Sequence, residues 1–154
     1  MPTVALSGND THVINGRVLQ DFGDGNVAYL TFPNNVAAIK TGKNGNSLYA
    51  LNTTGFQANL KYRILRGSAD DQFFNNLYNL SYAPGQNFAA TVLMQGAFVK
   101  NMGDGTGFII QDTYTVIGGI FVKAPEALTN PEGSTEQNLT MWEIMFSNTS
   151  RVIG

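Results

Sequence analysis

Between Phe56 and Leu65 apolar and polar side chains alternate without a break. Phe56, Ala58, Leu60, Tyr62 and Ile64 share one face, and Gln57, Asn59, Lys61 and Arg63 the other. A period of two marks a strand with one buried face. The pattern changes at Gly67. Ser68 has the oxygen an N-cap needs, and Asp71 three residues on supplies the acidic arm of a capping box. Phe73, Phe74, Leu77 and Tyr78 then follow at helical spacing and make one apolar stripe, the core-packing face of the helix, until Ala83-Pro84-Gly85 stops it. The segment predicts a strand that delivers one short helix onto the side of a sheet.

Nearly everything else reads as strand. Thr11 to Leu19 and Asn26 to Phe32 predict a pair around the turn Gly23-Asp24-Gly25. Val36 to Ile39 and Ser47 to Asn52 predict a second hairpin, joined by Lys40, Thr41, Gly42, Lys43, Asn44, Gly45 and Asn46, with Asn44-Gly45 as its turn. This hairpin is sparsely apolar, so its tip is expected to project beyond the core. Asn87 to Val99 and Phe108 to Lys123 form a long pair about the glycine-rich turn Met102 to Gly107. Ala124 to Gln137 is a polar loop, and Leu139 to Ser147 is the last strand. In that strand Trp142, Ile144 and Phe146 lie on one side and Leu139, Met141 and Met145 on the other. A strand apolar on both faces needs two covers. One short helix cannot cover several such strands.

The expected fold is therefore mainly β: an antiparallel β-sandwich or barrel with one short flanking α-helix and a projecting β-hairpin. The 154 residues suit a single domain, with 1–10 as an N-terminal arm and 148–154 as a C-terminal tail.

Composition sharpens the picture in one respect. Only 13% of residues are charged, against about 25% in ordinary soluble domains. Two readings account for this. Loops of a β-rich domain favour Asn and Gly; alternatively, much of the surface is covered by copies of the chain, since charge is depleted at interface centres. The absence of cysteine removes disulfides, thiolate metal sites and thiol nucleophiles. No export signal or membrane-length apolar run is apparent, and the default expectation is a soluble chain made in the cytoplasm.

Candidate chemistry is thin. His12 is the single histidine, without the company a triad or a zinc site needs. Asp21-Phe22-Gly23 matches a kinase magnesium triplet by letter only, and the Gly-Asp-Gly triplets supply too few oxygens for calcium. Asp70 and Asp71 suit a helix N-terminus, where the dipole favours acids. Glu126, Glu132 and Glu136 belong to a polar loop. The expectation is no enzyme, no cofactor and no metal. Five lysines and four arginines are scattered in a chain of net charge −2, so phosphates would be held weakly.

The order of these features resembles the inner tail-tube proteins of bacteriophages with contractile tails. The resemblance runs from the Gly/Asn-tipped segment Thr41 to Asn46 and Ser47-Leu48-Tyr49-Ala50-Leu51, through the alternating strand Gly55 to Leu65 and the aromatic helix. It continues to Gly119-Ile120-Phe121-Val122-Lys123-Ala124-Pro125, the loop near Glu132-Gly133 and the strand around Trp142-Glu143-Ile144. It is specific in order and loose residue by residue.

The resemblance implies a virion subunit, made in the host cytoplasm, that assembles into stacked hexameric rings forming a conduit for double-stranded DNA ejection. The implied partners are copies of itself, a sheath protein, a tape-measure protein, a tail terminator and a baseplate hub, with no membrane. On that reading the tip Lys40 to Asn46 contacts the next ring, and the edges of Phe56–Leu65 and Asn87–Val99 join neighbours within a ring. Asp112 and Glu143 are candidates to face the channel. Two other classes stay open: a carbohydrate-binding β-sandwich of a tail fibre or adhesin, using Tyr29, Tyr49, Tyr82 and Trp142, and a small-ligand barrel.

Overall fold

The computed structural model describes residues 4–23 and 25–154, with the side chains of Ser7, Gly8, Asn9 and Ala90 left aside. Its strands are β1 (Ala5–Ile14), β2 (Arg17–Val18), β3 (Ala28–Thr31), β4 (Ala37–Thr41), β5 (Ser47–Leu51), β6 (Ala58–Leu65), β7 (Met94–Gly103), β8 (Ile109–Phe121), β9 (Glu126–Ala127) and β10 (Leu139–Ile153); the helix α1 spans Ala69–Tyr82. One antiparallel sheet runs β2-β1-β7-β8-β10-β6-β3, with β9 also on β10. The hairpin β4–β5 is a separate two-stranded sheet.

The large sheet is rolled. His12 of β1 and Tyr62 of β6 stand four strands apart, about 19 Å in a flat sheet, yet their ring centroids are 5.8 Å apart. The segment after β2 stitches the two margins together. Leu19 N–H donates to His12 O on one side, while Asp21 O accepts from Leu65 N and Gly23 N–H donates to Arg63 O on the other. Inside the roll lie Ile14, Leu60, Tyr62, Ile64, Phe74, Val116, Trp142, Ile144 and Phe146, all fully buried. The alternation matches this from Ala58 on, with Ala58, Leu60, Tyr62 and Ile64 inward, whereas Phe56, expected on the same face, ends a 3-10 turn before the strand and is exposed.

The helix begins as its cap chemistry predicts. Ser68 Oγ accepts from Asp71 N at 3.2 Å, and Asp71 Oδ2 accepts in return from Gly67 N at 2.9 Å. Of the stripe, Phe74 is fully buried and Phe73, Leu77 and Tyr78 pack at the core's margin. Phe74 meets Tyr62, Phe121 and Trp142, so the helix covers β6, β8 and β10 together.

Several boundaries differ from the sequence reading. Gly23 to Gly25 does not join a hairpin: β1 and β3 lie near opposite margins of the sheet, and β3 pairs with β6; Asp24 lies outside the described residues. The turn that β1 does make is Asn15-Gly16, with φ of 49° and 80°, the left-handed pair a tight hairpin needs. The expected N-terminal arm, 1–10, is largely strand because β1 starts at Ala5; residues 1–3 lie outside the described ones. The expected tail, 148–154, is the second half of β10, where Asn148 to Ile153 pair with Ile117 to Asp112 of β8. β7 starts at Met94, after a 3-10 turn over Phe88–Ala90. The two strands expected at edges are interior: β6 lies between β10 and β3, and β7 between β1 and β8.

Candidate assembly surfaces

The strand registers sort the side chains onto two faces. The inner face carries His12, Phe98, Tyr114 and Val116, and the cross-strand pairs extend it to Asp10, Lys100, Asp112 and Arg151. At the open end of the roll Asp10, His12, Phe98, Lys100, Asp112 and Tyr114, with Leu30 and Leu60, line a cavity of about 510 Å³. Its charges are already paired. Arg151 clamps Asp112 with two bonds of 2.8 Å and lies over the Tyr114 ring, and Lys100 Nζ is 3.0 Å from Asp10 Oδ2. Hydrogen bonding from Arg151 outweighs desolvation and holds the Asp112 carboxyl below its usual range.

Glu143 is on the opposite face. It accepts from Asn59 Nδ2 at 2.6 Å, and Lys123 Nζ is 3.7 Å away. Asp112 and Glu143 therefore do not share a surface, which sequence could not foresee: a bulge in β8, where three residues oppose two of β7, changes its inward set from Gly119 to Val116. The outer face of β7, β8 and the end of β10 carries Val99, Asn101, Gln111, Thr113, Thr115, Asn148, Ser150 and Val152, with no charged residue between them.

Asp70 and Asp71 both reach beyond the helix end at which they stand. Asp70, 1% exposed, accepts from Gln20 N at 2.6 Å, Asp21 N at 2.8 Å and Arg17 Nε at 2.8 Å. Burial pushes its carboxyl up, but these bonds overcome burial and hold it below the usual range. The signal was present in sequence only as an acid with no assigned partner.

The hairpin places Ala37 opposite Leu51, Ile39 opposite Tyr49 and Thr41 opposite Ser47 on one face. Ile39, Tyr49 and Leu51 are 64%, 77% and 70% exposed. At its tip Asn44 and Gly45 take φ of 63° and 76°. Lys40 to Asn46 are thus together at one extremity.

Two further groups of exposed apolar side chains stand at the ends of the sheet, while others such as Tyr29, Leu80, Phe88, Val92 and Leu93 lie elsewhere. Val4, Leu6, Phe108, Ile109, Val152 and Ile153, each more than half exposed, meet where β1 begins, β7 ends, β8 begins and β10 ends. Leu65, Leu128 and Met141 are exposed at the other end, around β9 and the start of β10. Among the described residues no cluster of three or more His, Asp or Glu could hold a metal ion. Trp142 is 1% exposed, and the Tyr82 hydroxyl donates to Phe121 O at 2.6 Å. Trp142 cannot serve as a stacking platform for a sugar.

This fold is shared with chains from solved contractile assemblies. The chain superposes on the tube-terminating cap of the anti-feeding prophage with a TM-score of 0.63 and 8% identity, covering 97% of this chain and 91% of that one. It superposes on a chain of the PVC extracellular contractile injection system's sheath-tube complex, in the extended state, with a TM-score of 0.56 and 9% identity, covering 94% and 87%. In sequence, no family model and no curated protein matches the chain.

Proposed function

We propose that this chain is the repeating subunit of a tail tube, built from stacked rings that enclose a channel. The observation that carries the reading is the pair of exposed apolar ends at opposite poles of one small molecule. A single particle in water has little reason to keep both; stacked copies bury both. The low charge and the likeness in fold to a tube cap support the same reading.

Within the tube the channel wall is the uncharged outer face of β7, β8 and β10, with Thr113, Thr115, Asn148 and Ser150 at its centre. These replace Asp112, whose carboxylate is bound to Arg151, and Glu143, which is bound to Asn59. A wall of hydroxyls and amides offers no counterion-releasing contacts to a passing phosphate backbone, so double-stranded DNA would slide without being held. The rings are hexameric, the tip Lys40 to Asn46 bears on the next ring, and the expected companions are a sheath, a tape-measure protein, a tail terminator and a baseplate hub of a virion tail.

Electron microscopy of negatively stained purified protein over a range of concentrations tests this. Rings with a central hole at moderate concentration and tubes at high concentration are expected. Separate particles at every concentration would overturn it.

A further inference from the structure

We propose that the β4–β5 hairpin of one copy seats in the groove beside β9 and the start of β10 of the next copy, joining molecules head to tail. The proposal rests on the tube reading and names the surface that receives the hairpin.

An isolated two-stranded hairpin is marginally stable in water, and this one presents Ile39, Tyr49 and Leu51 largely uncovered. Something must cover that face. Residues 36–51 contain Lys40 and Lys43 and no acid. A groove of about 390 Å³ at the other end of the molecule has the complementary character. Leu128, Leu139 and Met141 form its apolar part, and Glu126 and Glu136 stand on it with Arg63. The loop 124–138 that shapes it carries three glutamates and no lysine or arginine.

The cations near the groove are occupied locally. Arg63 has interactions of its own. Arg66 Nη1 bonds the carbonyls of Leu128 and Gln137 at 3.3 and 3.4 Å and so pins the loop. Lys123 reaches Glu126 only at 3.9 Å, between two exposed side chains, a pairing of little strength. Docked, Ile39 and Tyr49 would cover Leu128 and Met141. Lys43 at the tip and Lys40 on the hairpin's other face would flank the contact beside Glu136 and Glu126.

In the structure the hairpin does not occupy its own groove: none of residues 36–51 lines it. The hairpin leaves the sheet between Thr31, paired with Asn59, and Ala58 at the start of β6; the groove residues Leu139 and Met141 pair with Leu65 and Arg63 at its end. Five to seven residue steps of strand separate the two, about 16–23 Å. A contact between unlike surfaces joins copies head to tail and propagates a filament wherever its rotation does not close a ring.

The test uses charge reversal in mixtures. One variant carries Lys40→Glu and Lys43→Glu, so its hairpin and groove are both acidic; the other carries Glu126→Lys and Glu136→Lys, so both are basic. Each alone should lose about tenfold or more of its pelletable polymer. An equimolar mixture should regain it, because every contact in an alternating filament is then complementary. Circular dichroism confirms that each variant is folded before mixing. In a second arm, Tyr49→Cys and Met141→Cys are combined in a chain that has no other cysteine. Polymer treated with a mild oxidant should give a ladder of disulfide-linked multimers. Wild-type tubes together with unimpaired charge variants, no rescue on mixing or no ladder would overturn the docking site and leave the tube standing. Failure of the wild type to polymerise at any concentration would overturn the tube reading itself.

Discussion

The indole of Trp142 donates to the carboxylate of Asp71 at 2.9 Å. The same carboxylate accepts from Gly67 N ahead of the helix and from Thr140 Oγ1 on β10. One side chain thus fastens the helix N-terminus to the central strand, in the place where a helix end most favours negative charge. Phe74 and Tyr78 then fall against Trp142 and Phe121.

Asp71→Ala is expected to cost about 2–3 kcal/mol, since it removes a charged acceptor from both the indole and the first helical turn. Trp142 is the single tryptophan, so urea unfolding followed by its emission reads the effect directly. Loss within a few tenths of a kcal/mol of zero would show that the indole finds another partner.

Stability should fall in two steps as pH drops. Burial outweighs the nearby Asp10 charge and, with the smaller repulsion of Lys100, lowers the His12 pKa below its ordinary 6.5. The unfolded chain therefore takes that proton first, and stability present above pH 6.5 is lost as pH falls toward the folded value. Asp70, held below its ordinary 3.8, contributes stability that is full above that value and is lost as pH falls through the folded one. His12→Phe should flatten the first step. Asp70→Asn should cost about 2–4 kcal/mol at pH 7, by leaving Arg17 and two buried N–H groups poorly matched, and should approach the wild type in acid. Thermal melts from pH 8 to pH 3 compare the three proteins.

Tyr62 is fully buried and its hydroxyl has no hydrogen-bond partner among the described residues. A buried polar group left unpaired is a cost, so Tyr62→Phe should leave stability unchanged or raise it by up to about 1 kcal/mol. A clear loss in chemical denaturation would mean that the hydroxyl is satisfied in solution.

Gly55 is buried against the base of the hairpin: a side chain there would run into the backbone of Asn35 and Val36. Gly55→Ala should loosen residues 36–52 while the rolled sheet keeps its melting temperature within a few degrees. Faster hydrogen exchange confined to the hairpin, with a loss of polymer, is the expected result; exchange unchanged in that segment would contradict it.

The local chemistry was legible wherever neighbours in sequence are the partners. The Ser68 cap, the aromatic stripe, the alternation of β6 and the Asn44-Gly45 turn each depend on a few adjacent residues, and each lies where its pattern indicated. Asn148 to Ile153 has weak apolar patterning and became strand because β8 offers it a continuous ladder of partners. Which strands are edges was equally hidden, since β3 meets β6 across 27 residues of intervening chain, from Thr31 to Asn59, and not through a hairpin.

The amino-acid pattern by itself determined that this chain is an antiparallel β protein with one capped helix and a glycine-tipped hairpin, because periodicity and turn chemistry act over short distances. Only the tertiary structure decided which face each carboxylate occupies and that two apolar ends stand at opposite poles. Those outcomes follow from the bulges and the rolling of the sheet, which change a side chain's direction without leaving a repeat in the sequence.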